Sequence, residues 1–204
     1  MRILILLLLS TSFLTAQTLV EIGTPADGIV IELRYKTADN FFKTAFYPKQ
    51  ARALLRPETA AKLARVQAEL KSAGLGLKIW DAYRPLSVQR AMWKTLPDAR
   101  YVADPAKGGR HNRGAAVDAT LIDASSGMEL TMPTAHDDFS EKAGAHFNLV
   151  SPEAFKNRAK LQEVMQKHGF ALFESEWWHF DDIDWERYAA LDMPLDQLAT
   201  GQPK

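Results

Sequence analysis

The 204-residue sequence contains no cysteine. That excludes disulfide staples, thiolate nucleophiles and thiolate metal ligands together, so any bound metal must be held by nitrogen and oxygen donors. Neither sign of charge is in excess, since Lys plus Arg and Asp plus Glu number 25 each. A nucleic-acid groove or a polybasic membrane patch needs a basic surplus, and neither is expected. No repeat, low-complexity tract or linker divides the chain. Long apolar runs are missing except at the N-terminus, where Arg2 precedes Ile3 to Leu9 and Ser10 to Ala16 forms a weakly polar exit. That run falls short of the ~20 residues that span a bilayer and has the layout of an export signal. Residues 1–16 therefore read as a signal peptide cut near Ala16, although Leu14 is bulkier than such a site prefers. Residues 17–204 read as one domain, large enough to bury a core unaided. It is expected outside the cytoplasm, in the periplasm, with no stable membrane association.

Within that domain the elements alternate irregularly. Ile29 to Tyr35 alternates as a strand does. Pro57 opens a helical pattern with Ala60, Leu63, Val66 and Leu70 on one face, and Gly74 closes it. Leu77 to Trp80 reads as a short strand running into Asp81-Ala82-Tyr83-Arg84-Pro85, where Pro85 keeps Arg84 out of helix. Ser87 is expected to cap a helix through Leu96. Ala116 to Ile122 is a strand with Asp118 and Thr120 on one face and Val117, Ala119 and Leu121 on the other. Ser151-Pro152 starts a third helix that ends at Gly169, and Phe170 to Phe180 is an aromatic strand interrupted near Glu174 to Glu176. Such a mixture, without a βαβ rhythm, predicts an α+β domain with helices packed on a mostly antiparallel sheet.

Two polar clusters sit among apolar residues. In His111-Asn-Arg-Gly114-Ala-Ala-Val-Asp118, a loop imidazole and a strand carboxylate can converge, because Gly114 permits a tight return between them. By spacing alone, an ordinary loop histidine bonded to a strand aspartate is the commoner explanation. In Glu176-Trp-Trp-His179, a carboxylate lies three residues before a histidine inside an aromatic segment, where an unpaired charge is costly. A surface Glu beside a core His is the plain alternative. Together the clusters supply His111, Asp118 and His179 as ligands and Glu176 as a spare carboxylate. Catalytic zinc takes three protein ligands and leaves a fourth position for water, and a nearby Glu can then act as base. Arg84, held in a turn, is a candidate to stabilise a developing oxyanion. His168 falls at a helix C-terminus, where a cation is structurally favoured. His136 and His146 read as solvated loop residues, Asp181, Asp182 and Asp184 as an exposed acidic turn, and the five tryptophans as core or pocket wall.

His-x-x-Gly-x-Ala-x-Asp followed by Glu-x-Trp-His resembles the D-alanyl-D-alanine dipeptidases of the VanX type. These belong to a zinc superfamily shared with lysostaphin-like peptidases, D,D-carboxypeptidases and the Hedgehog signalling domain. Three further blocks, Arg34 to Phe41, Trp80 to Pro85 and Met132 to Phe139, resemble the same family in the same order. The resemblance implies one zinc ion on His111, Asp118 and His179, with Glu176 as catalytic base and Arg84 polarising the scissile carbonyl. It also implies that Asp137 pairs with the ammonium of a small dipeptide substrate and that Tyr35 lines the pocket. Gly109 departs from the family, which usually has Ser two residues before the first ligand; His136 stands where an aromatic residue is common. The rival expectations are a D,D-carboxypeptidase acting on longer wall peptides and a non-catalytic zinc module that binds wall fragments.

Overall fold

The computed structural model describes residues 19–24 and 27–196; the proposed signal segment, 1–16, lies outside them. A central sheet of five strands is ordered β2 (Val30–Ile31), β4 (Leu75–Asp81), β5 (Ala116–Asp123), β7 (Glu176–Asp182) and β6 (Phe170–Phe173). The β2–β4 pair is parallel and the other three are antiparallel. The fold is the expected α+β domain with a mixed, mostly antiparallel sheet. A separate two-stranded ribbon joins β1 (Val20–Glu21) to β3 (Leu54–Leu55). No helix of the described residues is long and apolar enough to cross a membrane.

Helix α1 (Pro57–Ser72) starts at proline, which suits the first helical turn. Its Leu63, Val66 and Leu70 are fully buried, and it packs on β4 and on α3 (Pro152–Lys167). Helix α3 is capped by Ser151, whose hydroxyl accepts from the Ala154 amide at 3.1 Å. Helix α2 (Leu86–Thr95) follows Arg84. Ser87 does not cap it: Pro85 occupies the N-cap without a side-chain bond, and the Ser87 amide donates to Asp192 Oδ1 at 2.7 Å.

Strand β5 explains why the molecule has a site. Its residues from Ala116 to Ile122 are all buried, yet its two faces differ. Val117, Ala119 and Leu121 join the apolar core, whereas Asp118 turns to the opposite face and lines a cavity. Period-two alternation thus delivers a carboxylate to a place where the sheet is covered but not filled.

Three expectations are corrected here. Ile29 to Tyr35 is not one strand; only Val30–Ile31 pairs, and Arg34–Lys36 forms a 3₁₀ turn that swings Tyr35 inward. The aromatic segment is a hairpin, β6 and β7, rather than a single broken strand. Asp181 and Asp182 are not an exposed turn but the buried end of β7. Asp182 accepts from the Thr59 hydroxyl at 2.6 Å and pairs with Lys62, which ties α1 to the sheet.

Candidate active site

Register across the sheet sets up the centre. Asp81 on β4 is paired with Asp118 on β5, and Asp118 with His179 on β7, so three polar side chains form a row across adjacent strands. A bulge in β4 between Ile79 and Asp81 admits the first of them. A second irregularity lies in the β6–β7 hairpin, where Phe173 pairs with Glu176 but Leu172 with Phe180. Extra residues on one strand bend it and re-aim side chains. That is how Glu176 and His179, which a regular strand would point to opposite faces, come to share one cavity, with Glu176 Oε2 3.8 Å from His179 Nδ1. Glu176 is thus the first residue of the strand, beside the bulge.

His111 arrives from a 3₁₀ turn, His111–Arg113, that ends on Gly114 at φ +67°. A Cβ at Gly114 would lie 2.6 Å from Leu19 and 3.3 Å from the Arg56 amide nitrogen, so glycine is required on both counts. The turn is clamped to the Arg84 segment. The Arg84 amide donates to His111 O at 3.0 Å and the Asn112 side chain donates to Arg84 O at 2.8 Å.

His111 Nε2, Asp118 Oδ1 and His179 Nδ1 meet in a triangle with edges of 3.2, 3.2 and 3.0 Å. A tetrahedral ion with bonds of ~2.0 Å spaces its ligands by roughly 3.3 Å, so the donor set has the dimensions of a metal site. The remaining ring nitrogens settle its chemistry. His111 Nδ1 lies 2.6 Å from Ala82 O, and His179 Nε2 lies 2.9 Å from Asp181 Oδ1. A carbonyl and a carboxylate can only accept, so these nitrogens carry the protons in neutral imidazoles, an assignment made from partners. Each group can then turn one lone pair to the centre, as a bound cation requires. The three groups are a metal-binding triad with outer partners that orient each imidazole.

Burial works against charge on Asp118, but His111, His136 and His179 more than reverse it and hold the carboxyl well below its usual range. His136 is not solvated as expected. Its side chain is 4% exposed, with Nε2 3.1 Å from Asp118 Oδ2 and its ring edge-on to Trp178. His146 does lie exposed, beside Glu174, and His168 pairs with Glu69 at the end of α3. Trp80, Trp177 and Trp178 are buried, the last at the cavity wall, whereas Trp93 and Trp185 are only half-buried.

The cavity has a volume of about 460 Å³, within the usual range for small-ligand sites. Besides the triad it is lined by Glu176, Arg84, Asp137 and Tyr35, so every site residue expected from the sequence reaches one space. Burial raises the Glu176 carboxyl above its ordinary value. Arg84 gives its Nε and Nη2 to Asp81 Oδ2 at 3.0 and 2.6 Å and its Nη1 to Gln89 Oε1 at 3.0 Å. Three of five N–H groups are committed, and two remain for a ligand oxygen. Its guanidinium also lies 5.0 Å over the Tyr35 ring. The Tyr35 hydroxyl donates to Asp137 Oδ2 at 3.1 Å; burial and the Asp137 charge keep that phenol protonated. Asp137 itself sits at φ +59°, a left-handed conformation that aspartate tolerates better than most residues.

Asp81, Gln89, His136 and Asp181 escaped the sequence reading as parts of the site. For Asp181 a signal was present: His179 and Asp181 are two apart on one strand, hence on one face. Asp81 could have been read from its place three residues before Arg84. His136 and Gln89 had no local signal.

A triad of nitrogen and oxygen ligands, a half-buried carboxylate beside it and a fixed guanidinium in the same cavity define a metal-dependent hydrolase. Comparison with known proteins makes this specific. The M15 peptidase family model, described as D-Ala-D-Ala dipeptidase, matches residues 15–196, and the chain belongs to that family. A D-alanyl-D-alanine dipeptidase of Escherichia coli (strain K12) is 39% identical over 163 residues, covering 80% of this chain and 83% of that protein. A D-alanyl-D-alanine dipeptidase of Streptomyces coelicolor is 31% identical over 178 residues, with coverages of 75% and 85%. One from Enterococcus faecium is 25% identical over 172 residues, again covering 75% and 85%.

Proposed function

We propose that the protein hydrolyses D-alanyl-D-alanine, or a closely similar D,D-dipeptide, to free amino acids with one zinc ion per chain. The observation that carries the reading is that the ligand triad, Glu176, Arg84 and Asp137 all line one cavity. Zinc on His111, Asp118 and His179 would supply a Lewis acid and a water acidic enough to lose its proton near neutral pH. Glu176 accepts the proton of the attacking water and delivers it to the departing amine. The two uncommitted N–H groups of Arg84 donate to the carbonyl oxygen as it gains negative charge, and Asp81 and Gln89 spare that guanidinium any reorganisation. Asp137, with Tyr35 behind it, takes the substrate ammonium.

This pairing supports a dipeptidase over a carboxypeptidase. An N-acylated chain brings no ammonium, and Asp137, whose side chain is 8% exposed, would meet it with only Tyr35 and His136 as partners. We also propose that residues 1–16 direct export, in keeping with a family match that begins at residue 15. The substrate would then come from peptidoglycan outside the cytoplasm, with scavenging or wall turnover as the role. Assaying the purified zinc-loaded protein on D-Ala-D-Ala and on its N-acetyl derivative tests the substrate assignment. Turnover of the free dipeptide alone is expected, and equal turnover of both sinks the dipeptidase reading.

A further inference from the structure

We propose that Arg110 binds the α-carboxylate of the dipeptide and so makes a free C-terminus part of what the enzyme recognises. The inference rests on the dipeptidase reading above. A free dipeptide is a zwitterion, and Asp137 accounts only for its ammonium. The carboxylate needs a cation at the other end of the same cavity.

Three cationic side chains, Arg84, Arg100 and Arg110, line that cavity among the described residues. Arg84 is held by Asp81 and Gln89 and stacked on Tyr35, which is itself bonded to Asp137, so it belongs to the middle and to the ammonium side. Arg100 is 76% exposed and already forms a bidentate pair with Asp98, with Nη2 to Oδ2 at 2.5 Å and Nε to Oδ1 at 3.0 Å. Arg110 differs from both. Its Nε is buried and makes no hydrogen bond, meeting only Asp181 Oδ2 at 3.4 Å, while the side chain as a whole is 40% exposed. Its guanidinium is braced 4.5 Å from the centre of the Trp185 ring. Its one ion-pair partner among the described residues, Asp181, stands 3.4 Å away at Oδ2, and the other oxygen of that carboxylate is taken by His179.

Contacts place Arg110 at the right end. Asp137 Oδ1 is 3.6 Å from His136 Nε2, which is 3.1 Å from Asp118 Oδ2. From there the chain runs through His179 to Asp181 and Arg110. Along this chain of contacts the triad comes between a carboxylate and a guanidinium, the charge order of a zwitterion with its peptide bond in the middle. Gly109 strengthens the assignment. It offers no side-chain donor, and its amide is spent on Asn112 Oδ1 at 2.7 Å, so the neighbouring Arg110 is left to meet the carboxylate. A guanidinium suits the task because its fork matches a carboxylate with two parallel bonds.

The experiment compares D-Ala-D-Ala with D-alanyl-D-alaninamide, which keeps the ammonium and peptide bond but has no terminal charge. Both are assayed with the wild-type protein, Arg110→Met and Arg110→Lys, with zinc content measured in parallel. The expected result is that the wild-type protein prefers the acid. Arg110→Met lowers kcat/KM for the acid by about 10- to 100-fold, as loss of a charged hydrogen bond does, mainly through KM. Cleavage of the amide stays where it was, and Arg110→Lys falls between. Two outcomes overturn the proposal: equal use of acid and amide by the wild-type protein, or equal losses on both substrates in Arg110→Met with zinc retained, which would mark a merely structural arginine. The wild-type comparison needs no variant and so survives any folding defect. Should the wild-type protein cleave neither compound, the dipeptidase reading itself falls and takes the role of Arg110 with it.

Discussion

The cavity has two ends made of different material. At the metal end, Asp118 and His179 face each other across two central strands, and every second atom of the ligands is engaged: Ala82 O on His111, Asp181 on His179, His136 on Asp118. At the other end, Tyr35 comes from a 3₁₀ turn and Asp137 from an irregular loop in a left-handed conformation, joined through the Tyr35 hydroxyl. The strands hold position through ladder bonds that side chains do not determine, whereas a loop residue is placed only by the contacts it makes. On the proposed function, chemistry sits on the rigid part and substrate choice on the part that can vary without disturbing the metal.

The comparison can be broken by substitution. Glu176→Gln is the most damaging: turnover should fall by ~10²- to 10⁴-fold while zinc stays near one per chain, and an unchanged rate would remove Glu176 from the mechanism. The same group sets a pH limb. Because burial raises the Glu176 carboxyl, its ionised form is lost at a higher pH than for an exposed glutamate. Activity should therefore drop as pH falls through that raised value, and the Gln variant should lack this limb in its pH–rate profile. Asp181→Ala comes next. It removes the acceptor that orients His179, and zinc affinity should weaken by ~10- to 100-fold, read by competition with a chelator. Asp137→Asn should have the smallest and most selective effect, raising KM for D-Ala-D-Ala by about 10-fold with zinc affinity intact. If Asp137→Asn instead releases the metal, the two ends are not separable and the contrast drawn here is wrong.

Much of the site was legible because its residues lie in short ordered blocks. Gly114 must be glycine and Asp118 must alternate with core residues, and both constraints leave marks in sequence. His136 left none: a histidine in a polar loop looks solvated until the loop is seen folding over Asp118. The acidic stretch from Asp181 misled for a related reason. Charged residues at a segment's end suggest solvent, yet Thr59 and Lys62 on α1, and His179 on the same strand, bury two of them with partners.

By itself the sequence determined the α+β class, the nitrogen and oxygen ligand set, the helix starts at Pro57 and Pro152 and the identity of the triad with its base. The first three follow from composition, periodicity and local spacing; the triad and its proposed base came from the ordered blocks that resemble a zinc dipeptidase family. Only the tertiary structure decided that Asp81, Asp118 and His179 stand in one row, that a bulge turns Glu176 towards His179, and that Asp137 and Arg110 line the same cavity. Strand register and loop packing bring together residues far apart in the chain, and no local pattern encodes which of them will meet.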